Sequence, residues 1–169
     1  MLLTIYHHLM KYFLWDTITR DARKIAEHIK ASEPPFDLII GLLRGGSIPA
    51  TIISHHLEIP MMCIGIKTYD DQSKTSNVDA YQAAHGDIFN LKSKRCIQRV
   101  LVVDDLSDTG DTFKYVINTY GHLFEEMQTA ALYIKSDTTH VPNFYHEEYD
   151  AKEWLVFPWE SSPTFHVAS

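Results

Sequence analysis

Val100-Leu101-Val102-Val103-Asp104-Asp105-Leu106-Ser107-Asp108-Thr109-Gly110-Asp111-Thr112 is the stretch from which the rest of the chain can be read. Residues 97–103 read as a strand that ends in the apolar run Val100–Val103. The run ends in two adjacent carboxylates and a Thr/Gly loop, and a helical pattern follows at Phe113, Val116, Ile117 and Tyr120, with Gly121 near its end. Ligands of open α/β sheets bind just beyond the carboxyl ends of strands. Paired carboxylates at such an exit can accept hydrogen bonds from vicinal hydroxyls and help hold Mg²⁺. The backbone N–H groups and hydroxyls of a loop that opens a helix can cradle a phosphate.

A second strand exit carries related chemistry. Phe36-Asp-Leu-Ile-Ile-Gly-Leu-Leu43 is too continuously apolar for a half-exposed strand, so it is expected to be covered on both faces. It runs into Arg44-Gly45-Gly46-Ser47, where paired glycines let the backbone approach an anion and a following helix presents free N–H groups. A plain strand-to-helix turn explains this loop equally well when it is taken alone. Ser47 is the expected cap of that helix, with Pro49 in its first turn and Ile52, Ile53, His56 and Leu57 on its buried side.

Upstream, Ile18, Ala22, Ile25, Ala26 and Ile29 recur at helical spacing after Asp16, the expected N-cap, and Pro34-Pro35 closes the run. Downstream, residues 61–66 and 129–134 read as strands. Strands alternating with helices predict right-handed crossovers and an α/β fold with a mainly parallel sheet flanked by helices. Residues 67–95 are polar and weakly periodic, which predicts a long mobile or hairpin segment. Phe144, Tyr145, Tyr149, Trp154, Phe157 and Trp159 crowd residues 141–160 without a clean period, so an aromatic cap over one sheet edge is expected there.

The 169 residues, 45% of them hydrophobic, fit one domain spanning 1–169 with a substantial core. A net charge of -7 and a pI near 5.7 leave no broad basic surface to hold a phosphate backbone, so no nucleic-acid partner is expected. No apolar run approaches the ~20 residues that span a bilayer, and the first residues have no cationic region followed by an apolar stretch. A cytoplasmic protein without a membrane partner is the expectation. Cys63 and Cys96 have no CxxC partner and read as small core residues, and the ten histidines show no recognised zinc spacing.

Three other readings compete for residues 100–112. Asp-Thr-Gly occurs in aspartic proteases, but those need two such loops facing each other, and one is present here. Receiver domains open on a similar acidic strand end, with about a hundred residues of sheet after it, whereas only 64 residues follow Asp105 here. A purely structural acidic turn leaves three carboxylates and a glycine at one strand end unexplained.

Residues 100–112 resemble the phosphoribosyl-pyrophosphate motif of type I phosphoribosyltransferases. Trp15-Asp16 with Ala22-Arg23-Lys24, the Arg44-Gly45-Gly46 loop, residues 67–73, Lys135 and residues 154–160 are similar to the purine-salvage branch, the xanthine/hypoxanthine-guanine enzymes. The resemblance implies the type I phosphoribosyltransferase fold, with a mobile hood over 67–95 and a C-terminal aromatic subdomain over 136–169. It implies that Asp104 and Asp105 bind the ribose hydroxyls directly or through Mg²⁺, and that Asp108, Thr109, Gly110, Asp111 and Thr112 hold the 5′-phosphate. It also implies that the Leu43–Arg44 peptide, often cis in the family, and Gly45 hold pyrophosphate. Lys67, Thr68 and Tyr69 fall where the family has its hood, and Lys135, Trp154 and Leu155 where it binds the base.

The expected partners are therefore phosphoribosyl pyrophosphate and a 6-oxopurine, with a homodimer or homotetramer as the assembly. Loss of pyrophosphate builds positive charge on the ribose and negative charge on the leaving group, and the purine nitrogen then attacks C1′. Asp108 is the candidate acceptor of a purine ring proton, on the expectation that neighbouring carboxylates raise its pKa; a helix-capping aspartate is the alternative. The Lys135 ammonium suits a 6-oxo group and opposes the amino donor of adenine. Trp154 offers a stacking face, or else belongs to the core. Asp111 stands where many relatives of that family have a small or different residue, and it predicts weaker phosphate binding. Two further functions stay open: a non-catalytic sensor of phosphoribosyl pyrophosphate, and a transferase for a non-purine base.

Overall fold

The computed structural model describes residues 10–32, 34–69, 77–80 and 97–160. In chain order these form β1 (Met10–Tyr12), α1 (Trp15–Lys30), β2 (Leu38–Leu43), α2 (Ser47–Leu57), β3 (Met61–Tyr69) and β4 (Asn77–Ala80). Then come β5 (Arg99–Ser107), α3 (Asp111–Tyr120), a 3-10 turn (Gly121–Leu123), β6 (Glu126–Lys135), β7 (Phe144–Tyr149) and β8 (Trp154–Val156). Six strands make one sheet in the order β4-β3-β2-β5-β6-β7, all parallel except β4. β1 and β8 form a separate parallel pair.

The continuous apolar runs are explained by helices on both faces. Along β2 and β5, Ile39, Leu101 and Val103 face a layer that includes Ile18, Ala22 and Ile25 of α1 with Ala50 and Ile53 of α2. Leu38, Ile40, Leu42, Val100 and Val102 face the opposite layer, with Phe113, Val116 and Tyr120 of α3. Successive side chains of one strand thus alternate between two dry interfaces, which removes the polar alternation of a half-exposed strand. Among the described residues, no helix is long and apolar enough to cross a membrane.

β2 continues through α2 to β3 on one side, and β5 through α3 to β6 on the other. The two central strands are neighbours whose connections diverge, so their carboxyl ends border the crevice of a topological switch point. Both loops singled out in the sequence lie there.

Several local expectations are corrected. Leu14, not Asp16, precedes the first turn of α1 and makes no side-chain cap, with Asp16 inside that turn. Gly46 is the N-cap of α2, and Ser47, the first helical residue, turns its hydroxyl back to the carbonyl of Arg44 at 2.7 Å. Cys63 is exposed rather than core, because α2 packs chiefly on β2 and β5 and leaves β3 less covered. Cys96 lies outside the described residues.

Residues 141–160 are more regular than the sequence suggested. β7 extends the main sheet, and only β8 and the turns beside it build the cap. Phe13 stacks on Tyr133 at 4.4 Å and on Phe157 at 5.6 Å, and Phe157 stacks on Trp159 at 4.8 Å. Residues 67–69 end β3 and pair with β4, in the register Lys67↔Asp79, Thr68↔Val78 and Tyr69↔Asn77. The rest of the expected hood, residues 70–76 and 81–95, lies outside the described residues.

Candidate active site

The β2 exit reaches the β5 exit because two residues there have no side chain. A Cβ on Gly45 would lie 1.7 Å from Oδ2 of Asp105, and one on Gly46 would lie 2.6 Å from the carbonyl oxygen of Val103 and 2.7 Å from Cα of Asp104. The 44–46 loop therefore rests directly on the backbone and carboxylates of β5. The Leu43–Arg44 peptide is cis, as the resemblance implied. Leu43 and Arg44 are exposed at the rim.

Asp104 and Asp105 are half-buried, and the amide of Asp105 donates to Oδ1 of Asp104 at 2.9 Å. Burial, with the charge of Asp105 second, pushes the Asp104 carboxyl well above the usual carboxylate range. Burial also raises Asp105, and Glu160 adds repulsion to it. Two acidic groups that cannot comfortably share negative charge suit a site completed by a dication or by hydroxyl donors.

Beyond them the chain turns at Gly110, whose φ of 87° is a left-handed conformation open to glycine. A Cβ there would also meet the backbone nitrogen of His140 at 2.5 Å. Asp108 and Thr109 are exposed, Asp111 and Thr112 half-buried. Asp111, Thr112 and Phe113 open α3, so their N–H groups lack intrahelical acceptors; that of Asp111 donates to Oγ1 of Thr109 at 3.3 Å, and those of Thr112 and Phe113 are the donors of an anion cradle.

Residues 138–140 brace this loop. Ser107 Oγ donates to the carbonyl of His140 at 2.8 Å and lies 3.0 Å from Oγ1 of Thr138, and the amide of Thr139 donates to the carbonyl of Thr109 at 2.9 Å. His140 Nε2 lies 3.0 Å from Oγ1 of Thr129. Burial and, second, the Lys114 charge lower the His140 pKa, which favours the neutral ring.

A cavity of about 650 Å³ opens between the two exits and the β1–β8 pair. Gly45, Arg44 and Asp105 form one wall, and Trp154, Trp159 and Glu160 another. This volume lies within the usual range of small-molecule sites. Met10, Tyr12 and Val156 also line it, since the β1–β8 register places Met10 beside Trp154 and Tyr12 beside Val156 on the same face. Sequence reasoning missed Met10, Tyr12 and Ile48, since three-residue β1 has no periodicity to detect, whereas Val156 and Glu160 fall in the 154–160 stretch that carried the resemblance.

The base-binding candidates separate by environment. Trp154 is 66% exposed and presents its indole to the cavity. Leu155 is buried, which leaves only its backbone for a ligand. Lys135 is buried at the end of β6, with its ammonium donating to the carbonyls of Asp150 and Glu153. A buried ammonium needs such acceptors. Lys135 thereby holds the turn that leads into Trp154, and it does not line the cavity.

Two anion cradles therefore flank a pair of carboxylates, and an aromatic-walled cavity adjoins them. The phosphoribosyl transferase domain model matches residues 14–166. The chain belongs to the phosphoribosyltransferase family. This phosphoribosyltransferase is 30% identical over 157 residues to the xanthine-guanine phosphoribosyltransferase of Cereibacter sphaeroides, covering 86% of the chain and 84% of that relative. It is equally similar, 30% over 152 residues, to the xanthine-guanine phosphoribosyltransferase of Desulfotalea psychrophila, covering 89% and 86%. Among solved structures, the purine phosphoribosyltransferase from Pyrococcus horikoshii Ot3 superposes with a TM-score of 0.72 at 33% identity, covering 91% of this chain and 96% of that one. The enzyme is thus a transferase with the mainly parallel sheet of the type I fold.

Proposed function

We propose that this phosphoribosyltransferase moves the 5-phosphoribosyl group of phosphoribosyl pyrophosphate to a 6-oxopurine, giving a nucleoside 5′-monophosphate and pyrophosphate in purine salvage. The observation that carries this reading is one cavity lined by exposed Trp154 together with Asp105 and the Arg44–Gly45 loop. A flat base stacked on that indole would lie beside the carboxylates that receive the ribose. The names of the relatives point the same way.

On this reading Thr109, Gly110, Asp111 and Thr112 hold the 5′-phosphate, and Leu43, Arg44 and Gly45 hold the pyrophosphate. Asp104 and Asp105 take the ribose hydroxyls and would hold Mg²⁺. Hard oxygen donors with burial-raised pKa values, beside a cradle that a single Cβ would fill, fit that ion. When bound, the ion supplies positive charge to the departing pyrophosphate. The C1′–oxygen bond breaks as the amides of the 44–46 loop receive the leaving group, and a ring nitrogen of the base forms the new C1′ bond. Asp108, exposed at the loop, takes the proton that this nitrogen sheds.

Lys135 and the backbone of Leu155 set the edge of the base pocket, Lys135 by fixing the 150–153 turn that leads into Trp154. Residues 67–69, at the end of β3 that pairs with β4, begin the hood. The working form is one domain in a cytoplasmic homodimer or homotetramer.

A product assay with guanine, hypoxanthine, xanthine and adenine tests the substrate class. Turnover of one or more 6-oxopurines, with adenine the poorest base, is expected. Donor binding without product from any base would replace the proposal with a sensor, and turnover of a non-purine base alone would overturn the purine. In the same assay Asp108→Asn should lower kcat about a hundredfold, the low end for proton transfer, while donor binding persists. Wild-type turnover in that variant would remove Asp108 from the role.

A further inference from the structure

The donor loop is unusually acidic for a site that must receive anions. Asp104, Asp105, Asp108 and Asp111 fall within eight residues, and among the described residues none of them forms an ion pair. Asp111, in the first turn of α3, sits where the N–H groups of the helix would meet a phosphate dianion. The helix terminus offers only about half a positive charge against it. Without another cation, Asp111 alone would cancel that contribution.

Lys114 is one turn further along α3, on the same face as Asp111. Its ammonium forms no ion pair with Asp111 among the described residues and instead donates to Oγ1 of Thr139. That hydroxyl donates to the carbonyl of Thr109, which also accepts from the amide of Thr139 at 2.9 Å. The ammonium is thus fixed two hydrogen bonds from the loop backbone. Thr139 is itself immobilised: its neighbour Thr138 contacts Ser107, and His140 packs against Phe113 with ring centroids 5.3 Å apart. A flexible lysine tethered before the ligand arrives loses less entropy on binding than a free one.

We propose that Lys114 is an affinity-determining residue of the donor site. Held by Thr139, its ammonium offsets the carboxylate of Asp111 and supplies the positive charge that the 5′-phosphate of the donor needs. This rests on the assignment of residues 109–112 as the 5′-phosphate cradle. Asp111 then weakens the site only in part, because its charge is largely answered one helical turn later.

The test is calorimetric binding of three probes to the whole chain: phosphoribosyl pyrophosphate, ribose 5-phosphate and inorganic pyrophosphate. Near a protein surface and after salt screening, one such charge changes affinity about tenfold. Lys114→Gln should weaken phosphoribosyl pyrophosphate and ribose 5-phosphate by about that factor and leave pyrophosphate unchanged. Lys114→Arg should restore most of the loss, and Asp111→Asn should tighten ribose 5-phosphate about threefold. Unchanged ribose 5-phosphate affinity in a folded Lys114→Gln protein would overturn the proposal, as would equal weakening of pyrophosphate. If Lys114→Gln lowers the melting temperature and Lys114→Arg fails to restore binding, Lys114 is only a brace and the proposal is wrong. The base panel fails or succeeds separately, since these measurements need no acceptor.

Discussion

Gly45→Ala is expected to lower kcat/KM about a thousandfold while leaving the protein folded. The added methyl would sit 1.7 Å from Oδ2 and 2.5 Å from Cγ of Asp105, and neither group can yield without harm. Asp105 belongs to β5, held by its ladder to β6, and its amide is tied to Asp104. Either the carboxylate rotates away from the ribose site or the 44–46 loop lifts away from β5, taking the pyrophosphate cradle with it. A misplacement of about 1 Å costs on the order of a hundredfold, and the loss of a preorganised anion donor costs a similar factor, so displacing both accounts for the larger number. Gly121→Ala is the matched control: its nearest neighbour would be Cγ2 of Ile117 at 3.7 Å, and its φ of -57° suits alanine. Steady-state rates and melting curves of the two variants decide the matter. Near-normal kcat/KM in Gly45→Ala would show that Asp105 and the loop are not the reacting centre.

The two loops were legible in the sequence because each follows a strand buried on both faces, and strands of that kind read as unbroken apolar runs. The cavity between them was not. Its far wall joins Met10 to Trp154 and Tyr12 to Val156, pairings between chain ends that no local pattern encodes. The direction of Lys135 was hidden for a different reason. Its position at the end of a buried strand was readable, but the carbonyls that capture its ammonium belong to a turn 15 to 18 residues later. The cap of α1 was misread because Asp16 is a strong capping residue by type, yet here Leu14 precedes the first turn. Asp21 shows the limit most clearly. It falls at the buried spacing of Ile18, Ala22 and Ile25, so periodicity places it inside, while its charge argues for the surface.

Asp21→Ala is therefore expected to destabilise the fold by about 3 kcal/mol. Asp21 is 1% exposed, and its carboxylate accepts two hydrogen bonds and lies against an imidazole. The Tyr133 hydroxyl donates to Oδ2 at 2.8 Å, Arg20 Nε donates to Oδ1 at 2.9 Å, and His146 Nε2 lies 3.1 Å from Oδ1. Burial first, and the bond to Asp21 second, push the Tyr133 phenol well above its ordinary range, so it remains a donor that must be satisfied. Alanine would leave that hydroxyl without its acceptor beneath the aromatic cap, where Tyr133 stacks on Phe13 and meets Tyr149 edge-on at 5.4 Å. For a chain of this length the melting temperature should fall by roughly 6–12 °C. Asp21→Asn keeps one carbonyl acceptor and should lose about half as much stability. The cap also carries the turn that Lys135 holds and that leads into Trp154, so on the proposed function KM for the base should rise in Asp21→Asn while KM for the donor changes little. A fall of less than about 2 °C in Asp21→Ala would mean that the cluster is wet and the carboxylate replaceable by water.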